Sequence, residues 1–229
     1  MAATSARDPR VVRAARLLRD EAARAEERAF VIDDPDLLHM AVAAGVEIEF
    51  VLGEWPGAAE ASPDALRALA ALGQPPRIVA VCRVPPPAPP DLPPRSLVLA
   101  RVASAGNVGS IIRTAAAFRL PRVGLTTGCA DPWSRPALRA AKGATFAPGL
   151  VATGATLDAS CLAAAVPRGG APPEELPREA AVVLGGEGEG LSEEELARCE
   201  LRVTIPASGF ESLNVAAAAA ILAWHLSRD

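Results

Sequence analysis

The chain has 229 residues, 50% of them hydrophobic and 22% charged, which suits one large domain or two small ones and excludes a disordered chain. Its 23 Lys+Arg against 27 Asp+Glu give a formal net charge of −4, which argues against a strongly basic nucleic-acid arm or a polybasic membrane patch. Aromatics are scarce at 3% and Tyr is absent, which argues against broad stacking platforms for single strands. Lys142 is the single lysine, so Arg supplies nearly all the positive charge. With the heavy use of Ala and Pro, that is a compositional habit rather than a sign of RNA binding. Cys82, Cys129, Cys161 and Cys199 are dispersed, with no CxxC pair and only His39 and His225 to join them. That pattern predicts no zinc site, no disulfide framework, and reduced thiols in a cytoplasmic protein. Met1 to Arg10 contains no apolar signal-peptide core, and Val215 to Trp224 is too short to span a bilayer, so no membrane role is expected.

Residues Pro9 to Ala29 read as one helix, with Val11, Val12, Ala15, Leu18 and Ala22 at helical spacing. Phe30-Val31-Ile32 reads as a strand, Asp36 to Ala44 as a helix closed by Gly45, and Glu47 to Leu52 as an alternating strand. Ala65 to Leu72 is a short helix and Arg77 to Cys82 a strand, which together make a small layered α/β domain over 1–84. From Val84 to Pro94, seven of eleven residues are proline, so 85–95 reads as a semi-rigid linker rather than a proline-recognition ligand. The second domain, 96–229, alternates again. Strands are expected at Ser96 to Ala100, Arg122 to Thr126, Ala180 to Leu184 and Leu201 to Ile205. Helices are expected at Val108 to Phe118, Pro136 to Ala141, Glu193 to Arg198 and Leu213 to Leu226. Such alternation predicts a mostly parallel sheet with helices on both faces.

Three stretches carry candidate chemistry. In Ala105-Gly106-Asn107-Val108-Gly109-Ser110-Ile111-Ile112-Arg113-Thr114-Ala115, Asn107 stands where a strand turns into a helix, as an N-cap. Gly109 lies one turn before Arg113 and leaves room for a ligand under the guanidinium. The same residues also fit the commoner case of a capped helix with a solvated Arg. In Leu184-Gly185-Gly186-Glu187-Gly188-Glu189-Gly190-Leu191-Ser192, a buried strand runs into four glycines, and Ser192 with Glu195 forms a capping box. This turn lacks the contexts of a dinucleotide fingerprint or a P-loop, and Glu187 would repel phosphates, so it suits a neutral or cationic ligand. In Ile205-Pro206-Ala207-Ser208-Gly209-Phe210-Glu211-Ser212-Leu213-Asn214-Val215, Ser212 is expected to cap the last helix, in which Asn214 is a mild penalty.

In order and spacing, these stretches resemble the three motifs of the SpoU/TrmH family of S-adenosylmethionine-dependent RNA ribose 2′-O-methyltransferases, in the SPOUT superfamily. The family patterns N-x-G-x-x-x-R-T-A, L-G-x-E-G-x-G-L-S and I-P-x-x-G-x-x-S-L-N-V all occur between about 96 and 229. The first half is similar to the family's L30e-like substrate-binding domain through Asp8-Pro9-Arg10-Val11-Val12, Phe30-Val31-Ile32 and Leu37 to Leu52. That likeness points to the ribosomal-RNA branch. Arg83-Val84-Pro85 and Glu211-Ser212-Leu213-Asn214-Val215 further resemble the thiostrepton-resistance methyltransferases. Three departures stand out: Ser104-Ala105 for the usual Asp-Pro, Gly186 for a frequent Asn, and Ala207 for the usual Met.

The resemblance implies a trefoil-knotted domain, a homodimer formed through it, and methyl transfer to a ribose 2′-hydroxyl of RNA, with 23S ribosomal RNA favoured. It implies an S-adenosylmethionine site at Gly185, Ile205 and Leu213, with Gly186, Gly190 and Pro206 lining it, and no metal. For catalysis it points to Arg113, as a clamp on phosphate and on the developing alkoxide. Asn107, Ser212 and Asn214 would orient Arg113 or the ribose, and Glu187 would fix Arg113 or shape the donor loop. A guanidinium with a pKa above about 12 is a poor general base. The alternatives are a tRNA 2′-O-methyltransferase and a non-catalytic RNA-binding homologue. Arg7, Arg10, Arg13, Arg16 and Arg19 recur every third residue in the first half, fitting either an RNA-holding surface or an ordinary solvated helix.

Overall fold

Asp8 accepts a hydrogen bond from the Arg10 N–H and Pro9 takes the first helical position, so helix α1 (Pro9–Arg19) starts where these residues place it. The single helix expected as far as Ala29 is broken in the computed structural model, which describes residues 4–70, 74–207 and 212–228. Asp20 turns extended (φ −118°, ψ 112°), and its carboxylate accepts from the Ala22 and Ala23 N–H groups to cap a second helix, α2 (Glu21–Glu27). Arg28 is left-handed at φ 49° and delivers Ala29 into strand β1 (Ala29–Ile32). Helix α3 (Pro35–Ala43) ends in Ala44 followed by Gly45 at φ +73°, and strand β2 (Ile48–Gly53) follows. Helix α4 (Pro63–Ala68) begins behind a Ser62 cap, earlier than expected; Leu72 lies outside the described residues. Strand β3 (Ile78–Arg83) completes an antiparallel sheet in the order β1-β3-β2.

These elements belong to one of two units in the chain, Met1–Pro86 together with Trp133–Arg139. On one face of its sheet, Val31, Leu52, Val79 and Val81 pack with Val11, Ala14 and Leu17 of α1 and with Ala65 and Leu69. Phe30 points the other way and meets the Trp133 ring at 4.9 Å. Asp33 is buried and pairs with Arg135 and, at 3.3 Å, with Arg139. The α1 arginines are largely neutralised within the unit: Arg10 by Asp8, Arg13 by Glu27 and Glu49, Arg16 by Glu26 and Glu27. Arg19 donates to the Ala68 carbonyl at 3.2 Å. The Arg13 hydrogen bond holds the Glu49 carboxyl below the usual carboxylate range.

The second unit is Pro87–Pro132 with Ala140–Asp229. Its elements are β4 (Leu97–Ala100), α5 (Ala105–Ala117), β5 (Val123–Leu125), the end of α6 (Arg135–Ala141), β6 (Val151–Thr153), β7 (Leu162–Ala165), β8 (Ala181–Gly185), α7 (Glu193–Ala197), β9 (Leu201–Val203) and α8 (Val215–Ser227). Its six strands are all parallel, in the order β6-β5-β4-β8-β7-β9. Leu97, Leu99, Val182 and Leu184 face Val108, Ile111 and Ile112 of α5 and Ala219, Leu222 and Leu226 of α8. Their neighbours Val98, Ala100 and Val183 face the other way, onto Leu92, Ala155 and Leu157. The alternation predicts helices on both faces; the cluster on this second face is built from irregular segments instead. Leu92 belongs to the proline run expected as a spacer, and Arg122 fastens that run by donating to the Pro89 and Asp91 carbonyls. Among the described residues, no helix is long and apolar enough to cross a membrane.

Cys82, buried in β3, has its thiol pushed up to about 12 by burial, with the Glu49 carboxylate adding to the effect; the ordinary value is 9.0. The folded state therefore holds this proton more tightly than the unfolded chain. The stabilisation is complete below about pH 9 and is lost as pH rises towards about 12. In urea titrations across that window, Cys82→Ala should show a shallower loss of stability with pH than wild type. Parallel curves would remove Cys82 as the cause.

Candidate functional site

Parallel strands put all their carboxyl ends on one edge of the sheet. β4 and β8 are neighbours, yet the chain runs from β4 outward to β5 and β6, and β7 and β9 lie on the far side of β8. The crevice beyond β4 and β8 is thus a topological switch point, where open α/β sheets bind ligands. Ala100 pairs with Gly185 at this edge, so the first and second sequence motifs leave the sheet side by side.

Helix α5 starts at Ala105, three residues earlier than expected at Val108. Its cap is Ser104, whose hydroxyl accepts the Asn107 N–H at 3.3 Å. Ser104 stands where relatives were expected to carry Asp, and either side chain can accept this bond. Asn107 is therefore not the cap, and its amide is free for a longer reach. It donates through Nδ2 to the Glu187 carboxylate of the glycine loop, 80 residues away in sequence. Its Oδ1 accepts from Asn214 Nδ2 at 3.4 Å, 107 residues away. Asn214, not Ser212, caps α8, accepting from the Ala216 and Ala217 N–H groups at 2.9 and 3.4 Å.

The direction of this relay is forced at both ends. An ionised carboxylate only accepts and a helix N-terminus only donates, so each Asn amide between them has one workable orientation. The α8 N-terminus also carries partial positive charge at the end of the relay opposite the carboxylate.

The glycine loop folds back on itself, with the Gly190 N–H donating to the Gly186 carbonyl at 3.1 Å. A Cβ on Gly185 would lie 2.4 Å from the Gly190 carbonyl carbon, and one on Gly186 would lie 2.2 Å from the Arg101 carbonyl oxygen. Neither position admits a side chain without moving backbone. After the loop, Ser192 and Glu195 form the expected capping box at the start of α7. Arg101, just beyond the end of β4, donates to the Glu195 carboxylate and, at 3.0 Å, to the Gly190 carbonyl. Burial pushes the Glu195 carboxyl up, but the hydrogen bonds from Arg101 and Ser192 outweigh it and leave it below its ordinary value. Ser104 stands out in the sequence only as a departure from Asp-Pro, not as a cap, and Arg101 does not stand out at all; the signal that could have found both roles is their place, between a buried strand and a helix.

Of the residues singled out from sequence, Asn107, Glu187 and Asn214 come together. Arg113 is exposed two turns along α5, and its side chain has no hydrogen bond or ion pair to another described residue, so neither Glu187 nor Asn107 fixes it. Ser212, Leu213 and Pro206 are exposed and Ile205 is half-buried against the main core. His225 is buried and bonded to the Leu176 carbonyl at 3.0 Å, and the His39 ring meets the Trp55 ring at 4.5 Å in a tilted contact; both serve packing. Burial pushes all four thiols up, so none is poised as a thiolate nucleophile at neutral pH. Among the described residues, no group of three or more His, Cys, Asp or Glu is arranged to hold a metal ion.

Residues 94–224 match the model of the SpoU rRNA Methylase family. The chain belongs to that family. It is 34% identical over 187 residues to the 23S rRNA (guanosine(2553)-2′-O)-methyltransferase RlmP of Bacillus subtilis, covering 72% of this chain and 70% of that one. A TrmH-family protein from Porphyromonas gingivalis superposes with a TM-score of 0.82 at 31% identity, covering 98% of each chain. The SpoU methyltransferase AviRb of Streptomyces viridochromogenes, solved in complex with AdoMet, shares the fold with a TM-score of 0.84 at 22% identity, covering 96% of this chain and 97% of its own.

The close approach at Gly186 separates it from Gly106, which lies in the first turn of α5, where an added Cβ would meet only the Ser104 hydroxyl, at 3.8 Å. Gly186→Ala should destabilise the protein by about 1–3 kcal/mol, lowering its unfolding midpoint by about 2–4 °C per kcal/mol. Gly106→Ala should stabilise it by about 0.4–1 kcal/mol. Scanning calorimetry that gave the two variants the same midpoint would remove the steric role of Gly186.

Proposed function

We propose that this chain transfers the methyl group of S-adenosylmethionine to a ribose 2′-hydroxyl of RNA, with 23S ribosomal RNA as the substrate. The observation that carries the proposal is the convergence of the three family motifs at the β4–β8 switch point, joined by the Glu187–Asn107–Asn214 relay. Family membership and the relative RlmP support both the reaction and the RNA class. The donor belongs against the loops carrying Gly185, Gly186, Gly190, Ile205, Pro206 and Leu213, where Glu187 and Glu189 suit a cationic ligand better than a phosphate. No metal is called for.

S-adenosylmethionine, when bound, supplies an electrophilic methyl group on a sulfonium. The chain's part is to hold, orient and neutralise. Asn107 is locked by carboxylate and amide partners, so it presents a fixed edge to a ribose at the mouth of the crevice. The Arg113 guanidinium is the cation offered to phosphate and to negative charge growing on the attacking oxygen. Its lack of described partners leaves its donors open for that role. Ser212, exposed before the α8 cap, lies within the same motif and belongs with the RNA-contacting set.

The first half, 1–84, is assigned to holding RNA as an L30e-like domain, with 96–229 as the methyltransferase domain. The internal pairing of Arg10, Arg13 and Arg16 moves that role away from the α1 stripe. The trefoil knot is part of the same assignment, as is a cytoplasmic site of action, which suits free thiols and a ribosomal substrate. A homodimer fits the outer face of α8, where Ile221 and Trp224 stand 39% and 51% exposed on an Ala-rich helix.

The reading is tested by calorimetry with S-adenosylhomocysteine and by mapping 2′-O-methyl sites on unmodified 23S rRNA and tRNA. One donor site per chain and methylation of 23S rRNA are expected; methylation of tRNA alone would transfer the assignment to that RNA, and no binding at millimolar ligand would reject it. Arg113→Ala and Arg113→Lys should each lose about 10²–10³-fold in kcat with donor affinity unchanged, because one point charge does not replace a two-pronged donor. Rates within about threefold of wild type would remove Arg113 from the mechanism. Trp224→Glu should yield monomers by analytical ultracentrifugation; an unchanged sedimentation coefficient would discard the α8 interface.

A further inference from the structure

We propose that Arg101 is a positioning residue that holds the glycine loop in its donor-receiving shape; this rests on the assignment of that loop to the methyl donor. Arg101 sits just past β4 in a left-handed conformation, φ 55°, which residues with a Cβ seldom hold. That turn throws its side chain across the carboxyl edge of the sheet and leaves its carbonyl against Gly186. The stem passes Gly128, in the loop after β5, where an added Cβ would lie 3.3 Å from the Arg101 Cγ. The guanidinium then reaches the loop after β8, donating to the Gly190 carbonyl at 3.0 Å and to the Glu195 carboxylate. One side chain thus straps together the ends of three adjacent strands, β5, β4 and β8.

The strap acts at both ends of the glycine turn. Backbone contact at Gly186 fixes its start, and the bond to Gly190 with the Glu195 pair fixes its end. Between them stands Glu187, whose carboxylate orients Asn107. Arg101 touches neither the relay nor Arg113 in this structure; it acts on the donor through the loop. An ordinary half-exposed ion pair would contribute little. The difference here is the second bond, to a backbone carbonyl inside the turn. A guanidinium can serve a carbonyl and a carboxylate at once from separate nitrogens, and a lysine ammonium on a different stem does not reproduce that fork.

The test compares wild type, Arg101→Ala, Arg101→Lys, Glu195→Gln and the Arg101→Ala/Glu195→Gln double variant, all as full chains. Glu195→Gln keeps the capping-box acceptor while removing the charge. Three readouts are used: S-adenosylhomocysteine Kd by calorimetry, KM and kcat for donor and RNA separately, and hydrogen exchange of the Gly190 amide. Arg101→Ala should weaken donor binding about five- to thirtyfold and raise the donor KM in parallel. The kcat at saturating donor and the RNA KM should stay within about twofold, below that expected loss. Exchange at Gly190 should accelerate while the β8 amides stay protected. Arg101→Lys should recover only part of the affinity, and the Arg101→Ala/Glu195→Gln double variant should lose less than the sum of the singles. Unchanged Kd in Arg101→Ala, in a wild type that binds the ligand, overturns the assignment of Arg101 alone. Equal losses in donor and RNA KM, with exchange accelerated throughout the sheet, also overturn it by showing general destabilisation. If Arg101→Ala does not fold, Glu195→Gln with unchanged Kd and Gly190 exchange overturns it. A wild type that binds no S-adenosylhomocysteine overturns the donor-site reading, and this one with it.

Discussion

Glu187 can only accept hydrogen bonds, and the N–H groups at the start of α8 can only donate them. Everything at the candidate site is arranged between these two one-way partners. Asn214 must turn its oxygen to the helix and its amide nitrogen outward; Asn107 must then offer its oxygen to Asn214 and its nitrogen to Glu187. The relay ties a strand-to-helix turn, a glycine loop and a helix cap into one constellation, and it does so without titratable groups other than the carboxylate at its end. Such a site suits work in which the protein orients and neutralises rather than moves protons through a tuned acid–base pair.

The parallel sheet supplies the stage. Because β4 and β8 are adjacent while their outward connections diverge, the edge beyond Ala100 and Gly185 is open and flanked by two loops. The loops keep their form by close backbone approach: Gly186 against the Arg101 carbonyl, and Gly185 against Gly190. A small volume at these glycines matters as much as the conformational freedom usually credited to such turns. The α5–α8 layer below, with Ile111, Ile112 and Leu222 fully buried, gives the first turns of both helices a rigid base.

Charge is distributed with equal economy. The arginines of α1, which in sequence look like a basic stripe, meet Asp8, Glu26, Glu27 and Glu49 in space. Arg113, isolated in sequence, stays without a partner among the described residues, on the helix that packs against α8 of the third motif. Pairing separates arginines that build the fold from arginines whose donors remain free.

The α/β alternation, the order of the three motifs, the Asp8 cap and the Ser192–Glu195 capping box are readable from the chain before it is folded, because each depends on contacts within a few residues. Asn107, Glu187 and Asn214 also stand out there as polar residues in motif positions, but local reasoning misreads two of them, as an N-cap and as a penalty in a helix. Short parallel strands such as Val151–Thr153 and Leu162–Ala165 escape it, since a buried strand three or four residues long has no readable period and Ala-rich segments favour helix. Only the folded chain reveals that Asp20 breaks the first helix, that Leu92 of the proline run enters a core, and that Arg101 reaches Glu195 across 94 residues. The last of these follows from which strands lie side by side. Ala100 meets Gly185 only when the sheet closes in the order β5-β4-β8, and no local pattern encodes that pairing.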